Sequence, residues 1–320
     1  MPIQAERAAL WKSCNSLKPK RAMILADPQD GWVELVPESA LECENPVPRG
    51  MEEHLRRMLF RIHHIHDDFV VRKVFPVSLK VNKSNYGFEW KITKSSQKNG
   101  AFHMESSVHS YEDLKKLRPA SIEIDWEGTK QYAEFAEYIL GDILPVEVKG
   151  VDRCRCGLTK ELLVFRSLDQ LMLDLYDNPE MIHELMNFLC NEQIREYEFY
   201  EKEGALSLNN EADFVTGSGG IAHNDLLPAE DFDGKVRLKD MIVWGESQET
   251  VGISPAQFEE FVLQYQLKVL NRFGLVDYGC CEPLDSRFDL IIKNIPNLRW
   301  VSVSPWCNRK LAAEKLQDKY

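Results

Sequence analysis

Short apolar runs, set apart by segments long enough for helices, constrain this chain more than any other feature. The runs are Ile122-Glu-Ile124, Val146-Glu-Val148, Ala205-Leu-Ser-Leu208, Met241-Ile-Val-Trp244, Leu275-Val276 and Trp300-Val-Ser-Val303. Strand, helix, strand in sequence makes a parallel pair with a crossover, so the repeated pattern predicts an α/β fold. Helix starts fall where that pattern needs them. Ser254-Pro255-Ala256-Gln257 joins an N-cap, a proline at the first helical position and a capping-box partner, and Phe258, Phe261, Val262, Tyr265 and Val269 then form one apolar stripe. Asn178-Pro179-Glu180 and Ser167-x-x-Gln170 open two further helices. About seven such units favour a (β/α)8 TIM-type barrel of roughly 250 residues plus insertions over an open sheet. No glycine fingerprint follows the first strand, as a dinucleotide-binding sheet would require.

The remaining segments fit around this frame as one domain over residues 1–320. A helical extension occupies about residues 1–20, with Leu10, Trp11 and Leu17 as its apolar positions. Residues 22–25 are expected as a first strand. Residues 51–65 form a helix with Leu55, Met58, Leu59 and Ile62 on one face, and residues 69–81 a strand broken at Pro76. Residues 86–108 alternate around Ser95-Ser-Gln-Lys-Asn-Gly100, an Asn-Gly hairpin signal, and are expected as a β-hairpin insertion over one end of the domain. A last β/α unit of the barrel is expected after residue 320.

A net charge of -12 argues against a nucleic-acid surface, because a phosphate backbone calls for a basic stripe. No run of about 18 apolar residues and no charged-then-apolar leader is present, which excludes a membrane span and a secretory signal and makes the cytoplasm the expected location. Eight cysteines are then read as reduced thiols or metal ligands, not disulfides.

Barrel active sites form at the C-terminal ends of the strands, so the polar residues after each apolar run share an address. These are Asp152-Arg-Cys-Arg-Cys156, Asn209-Asn210, Gly245-Glu-Ser-Gln-Glu249, Tyr278-Gly-Cys-Cys-Glu282 and Ser304-Pro-Trp-Cys307. Alternation along a strand points Tyr278, Cys280 and Glu282 one way and Gly279 and Cys281 the other. Cys280 is then a thiolate ligand or nucleophile, or a buried thiol packing as a small apolar residue. Glu249 is a general acid or a loop carboxylate. His223 and Asp225 follow Gly217-Ser-Gly-Gly220, a turn that lets backbone approach a ligand but lacks the lysine of a phosphate loop. His63, His64, His66, Asp67 and Asp68 are read as a solvated helix end, and Trp244 as packing or a substrate contact.

Ala9-Leu-Trp-Lys-Ser-Cys-Asn-Ser-Leu-Lys-Pro-Lys-Arg21, Leu173-Asp-Leu-Tyr-Asp-Asn-Pro-Glu-Met-Ile-His183, Gly252-Ile-Ser-Pro255 and residues 274–285 together resemble the uroporphyrinogen decarboxylase superfamily. Within it the chain is more similar to the corrinoid-dependent methyltransferases. The arginine-rich loop with which the decarboxylases grip porphyrin carboxylates is replaced by Ala22-Met-Ile-Leu-Ala-Asp-Pro28, so porphyrin decarboxylation is not expected. The methyltransferases carry His-x-Cys-Gly on the strand matching residues 275–282 and a later cysteine, which together bind zinc. Here Tyr278 stands at the histidine, Cys280 at the cysteine and Cys281 at the glycine. The resemblance implies transfer of a methyl group between a small substrate, such as an aryl ether, methylamine or methylthiol, and a corrinoid carried by a partner protein. It implies zinc on Cys280, with Cys281, Cys307, Glu249 or Glu282 to complete the ligand set; Tyr278, Glu249 and His223 as proton donors; and Asn209, Asn210, Trp244 and Glu282 around the substrate. The other reading is a barrel kept as a binding or regulatory module without catalysis. A homodimer is left open.

Overall fold

The computed structural model describes residues 2–90, 92–96 and 102–320. The chain divides into two compact units, the first made of Met1–Lys73, Glu211–Val215 and Gly219–Asn224, the second of Val74–Asn210, Thr216–Ser218 and Asp225–Tyr320. No described helix is long and apolar enough to cross a membrane.

The first unit holds helices α1 (Pro2–Asn15) and α2 (Pro46–His64). Two adjacent buried aspartates organise the segment after α2. Asp67 takes Arg61 Nη1 at 2.8 Å and the backbone N–H of Ala26 at 3.0 Å. Asp68 takes Arg21 through both oxygens, at 2.7 and 2.6 Å, and the N–H of Ile24 at 2.8 Å. These bonds fix residues 22–26, which form no strand. Both aspartates are therefore structural anchors, unlike the solvated helix end expected of them. Along α2 the buried positions are Met51 and Arg61, whereas Leu59 is exposed. Of the apolar stripe expected there, Leu55, Met58 and Ile62 are half-buried.

The second unit carries ten strands among the described residues: β1 (Phe75–Ser78), β2 (Val81–Lys83), β3 (Ile92–Lys94), β4 (Phe102–Met104), β5 (Ile122–Ile124), β6 (Val146–Lys149), β7 (Cys154–Cys156), β8 (Ile242–Gly245), β9 (Leu275–Tyr278) and β10 (Leu298–Val301). Its helices are α3 (Trp126–Leu140), α4 (Leu158–Phe165), α5 (Leu168–Asp177), α6 (Pro179–Lys202), α7 (residues 255–270), α8 (Phe288–Asn294) and α9 (Arg309–Leu316). The expected hairpin is present as the antiparallel pair β3–β4, its Asn-Gly turn lying outside the described residues. β2 and β5 form a second antiparallel pair, and β1 pairs in parallel with β6. Pro76 sits within β1 instead of breaking it, which an edge position tolerates.

The main sheet is parallel, in the order β10-β9-β8-β7. The fold is therefore α/β with parallel strands, as expected. A closed barrel is not formed by the described strands: Cys154–Cys156 turns away from β6 and pairs with β8, leaving a single bridge, Val151 to Leu206, where residues 205–208 were expected as a full strand.

Asn209 bridges that interruption. Its side chain accepts from Ile242 N at 2.8 Å and donates to Ile242 O and Asp152 O, each at 2.8 Å, completing the backbone pairing with an amide of its own. Asn209→Ala should lower stability by about 2–3 kcal/mol, since it leaves buried backbone groups unpaired. Urea unfolding with an unchanged m-value checks this; a midpoint within error of wild type would show that water replaces the amide at no cost.

Candidate functional site

Register across the main sheet sorts its side chains into two rows. Cys156, Gly245 and Tyr278 are aligned on one face, and Arg155, Trp244, Asp277 and Trp300 on the other. The first row faces α7, in which Pro255–Phe258 and Gln264–Leu270 flank a π turn at Glu259–Leu263. All five residues of the expected apolar stripe, Phe258, Phe261, Val262, Tyr265 and Val269, are buried.

Between α7 and the first row runs a chain of polar groups with a defined direction. Arg287 can only donate, and its Nη1 reaches Ser247 Oγ at 2.9 Å. The Ser247 hydroxyl is then free to donate to Tyr278 OH, 3.3 Å away, and the phenol donates to Gln266 Oε1 at 2.7 Å. Gln266 Nε2 ends the chain on Glu246 O at 2.7 Å and Cys156 O at 3.2 Å. Glu282 secures the same turn, accepting from Ser247 N at 3.0 Å and Cys280 N at 2.9 Å. Burial holds the Tyr278 phenol well above its ordinary pKa. Its proton is committed to Gln266, and it faces a helix instead of a cavity.

The second row is chemically different. Arg155 lies over the Trp244 ring, 5.2 Å from its centroid, and pairs with the fully buried Glu246 carboxylate. Gly157 lets the pair form: a Cβ there would stand 2.5 Å from both Arg155 Nε and Glu246 Oε1. Burial, and then the charge of Glu249, push Glu246 up to about 7, with Arg155 acting in the opposite sense. Next to Trp244, Asp277 is 3% exposed and accepts from Thr216 Oγ1 at 3.2 Å. Burial raises this carboxyl to about 7. Gly217 lies against it: its φ is +51°, and a Cβ would stand 2.1 Å from Asp277 Oδ2. Thr216–Ser218 thus forms a strap over the row, and Ser218 Oγ meets Ser302 Oγ at 2.5 Å.

Beyond the strand ends a cavity of about 570 Å³ is lined by Gln248, Glu249, Val251, Cys281, Glu282, Pro283 and Trp306. Three of the expected site residues, Glu249, Cys281 and Glu282, meet there, and Glu249 Oε2 accepts from Thr159 Oγ1 at 2.7 Å. Cys280 is half-buried, with its sulfur 3.7 Å from that of Cys281. Trp244 donates its Nε1–H to Gly279 O at 2.8 Å, and Asn210 donates to Leu227 O at 2.7 Å. His223 belongs to the first unit, where its carbonyl accepts from Asn15 Nδ2 at 2.8 Å. Cys307 is buried and accepts from Leu284 N at 3.3 Å. Among the described residues no three His, Cys, Asp or Glu side chains converge as a metal site. Cys280, Cys281 and Cys307 do not make the three-donor set that zinc needs.

Arg155 and Glu246 lie within the strand-end segments expected at the site but carry no role there, and Asp277 lies just outside them. A carboxylate inside Leu275-Val-Asp-Tyr, an otherwise buried strand, was the available signal, since a charge there is costly unless protonated or paired.

Because the folded Asp277 carboxyl is raised above its unfolded value, its stabilising contribution is complete below about pH 4 and lost as pH rises to about 7. Asp277→Asn should therefore gain on wild type across that window, on the order of 4 kcal/mol in all, and not beyond it. Chemical denaturation of both proteins from pH 4 to 8 tests this; a constant difference would mean that Asp277 is ionised throughout.

Comparison of the chain with protein-family models, with curated proteins and with solved structures finds no match.

Proposed function

We propose that the chain is an enzyme whose acid–base centre is Asp277, acting in transfer of a methyl group between a small methylated substrate and a corrinoid held by a partner protein. The observation that carries the acid–base reading is the Asp277 carboxyl, buried beside two indoles at the end of a parallel strand and raised to about 7. A carboxyl near neutrality donates and recovers a proton at cellular pH. The methyl-transfer part rests on the resemblance carried by residues 9–21, 173–183, 252–255 and 274–285.

In this reading, the substrate lies against Trp244 and Trp300 once the Thr216–Ser218 strap lifts from Asp277. Asp277 protonates the heteroatom that loses its methyl group, making it a better leaving group, while the cobalt centre of the partner's corrinoid accepts the methyl as a co-substrate. Arg155, half-buried over Trp244 and paired with Glu246, is the cation that would meet a polar substituent of the substrate. Tyr278 stays in the network behind the sheet and supplies no proton.

Mixing the protein with a cobalt(I) corrinoid protein and a panel of methyl donors, and following methylcobalt(III) by absorbance, is the direct test. Asp277→Asn should slow the reaction by about 10²- to 10⁴-fold, the usual worth of a positioned acid. The wild-type rate should fall as pH rises through about 7, as the acid form is lost. Tyr278→Phe should keep most of the rate and lose stability instead. An Asp277→Asn enzyme as fast as wild type would remove Asp277 from the chemistry, and silence across every donor would remove methyl transfer.

A further inference from the structure

Cys280 and Cys281 form the closest pair of thiols in a place that a small molecule can reach. Cys281 is exposed, Cys280 is half-buried, and their sulfurs are 3.7 Å apart. With metal–thiolate bonds of about 2.3 Å, a single soft centre reaches both sulfurs without backbone movement, because half the separation is shorter than one such bond. The turn that presents them is already set. Gly279 adopts φ +108°, and the Cys280 N–H is held by Glu282 Oε2 at 2.9 Å. Among the described residues no third His, Cys, Asp or Glu joins them as a metal site. Cys307 is buried and engaged with Leu284 N, Glu282 is committed to Ser247 N and Cys280 N, and Glu249 accepts from Thr159.

We infer that Cys280 and Cys281 make a two-sulfur binding site for a trivalent arsenical, a thiophilic centre satisfied by two thiolates and one carbon or oxygen substituent, in place of a three-donor zinc site. The third substituent has somewhere to go. Cys281 opens onto the cavity of about 570 Å³, where Val251, Pro283 and Trp306 supply an apolar wall for an aryl or alkyl group. The chemistry balances without a redox partner: an organoarsenic(III) oxide and two thiols give two arsenic–sulfur bonds and one water, the oxide oxygen taking both thiol protons. No free thiolate is needed beforehand. Cys154 and Cys156, the other closely spaced pair, are both buried and have no such access.

Phenylarsine oxide is the probe, added to the full-length protein. One adduct per chain is expected by intact mass, with Cys280 and Cys281 alone protected from iodoacetamide and the adduct released by 2,3-dimercaptopropanol but not by a monothiol. Cys280→Ser and Cys281→Ser should each weaken binding by about 10²- to 10⁴-fold, the advantage of a second tethered sulfur. Cys307→Ser should bind as wild type does. Retention of the adduct by the Cys280→Ser, Cys281→Ser double variant would place the arsenical elsewhere and overturn the assignment. Loss of binding in Cys307→Ser would make the site a three-donor one and overturn it equally.

Discussion

The chain of hydrogen bonds from Arg287 through Ser247, Tyr278 and Gln266 to the backbone of β7 and β8 is what the rest of the second unit depends on. Parallel strands expose unpaired carbonyls where they end, and a buried strand end must satisfy them from somewhere. Gln266 does so for Cys156 and Glu246 from the helix that covers the sheet. The guanidinium of Arg287 lies 1% exposed, 4.4 Å from the Phe258 ring centroid and, among the described residues, without a carboxylate in contact. Burying that charge is costly, and its bonds to Ser247 and Thr250 offset the cost by pinning the turn after β8. Once Arg287 is placed, Ser247 and Tyr278 each have one proton to pass on and the Gln266 amide ends the chain on two carbonyls, so the network has a single arrangement.

That rigidity behind the sheet is what allows chemistry in front of it. Trp244 and Asp277 alternate in sequence with members of the helix-facing row, so fixing Gly245 and Tyr278 fixes their neighbours on the opposite face. Asp277 is the counterpart of Arg287: a second buried ionisable group, solved by keeping its proton instead of by solvating its charge. Glu246 lies between these two solutions, paired with Arg155 yet raised by burial and by Glu249.

Several parts of this design are legible in the residues. The period of 3.6 in Phe258, Phe261, Val262, Tyr265 and Val269, with its capping box at Ser254, marks a helix with one buried face, and all five are buried. The Asn-Gly hairpin signal predicts β3 and β4. The polar cluster after Leu275-Val276 marks a strand end with unusual chemistry. In contrast, alternation alone says that Tyr278 and Glu282 share a side without saying whether that side is a helix or a cavity. The structure turns both toward buried partners, and Asp277, between Val276 and Tyr278, toward the strap.

The sequence by itself therefore determined the α/β class, the parallel strands at 146–149, 242–245, 275–278 and 298–301 and the helices that cover them, because hydrophobic periodicity and capping act within ten or twenty residues. Tertiary structure alone decided which carboxylate is buried without a counter-charge, which asparagine stands in for a missing strand pair, and which thiols meet. Those outcomes hinge on contacts between residues far apart in the chain: Thr216 with Asp277, Arg155 with Glu246, Asn209 with Ile242. The energy of a buried polar group is set by the partner it finds there, which no local pattern encodes.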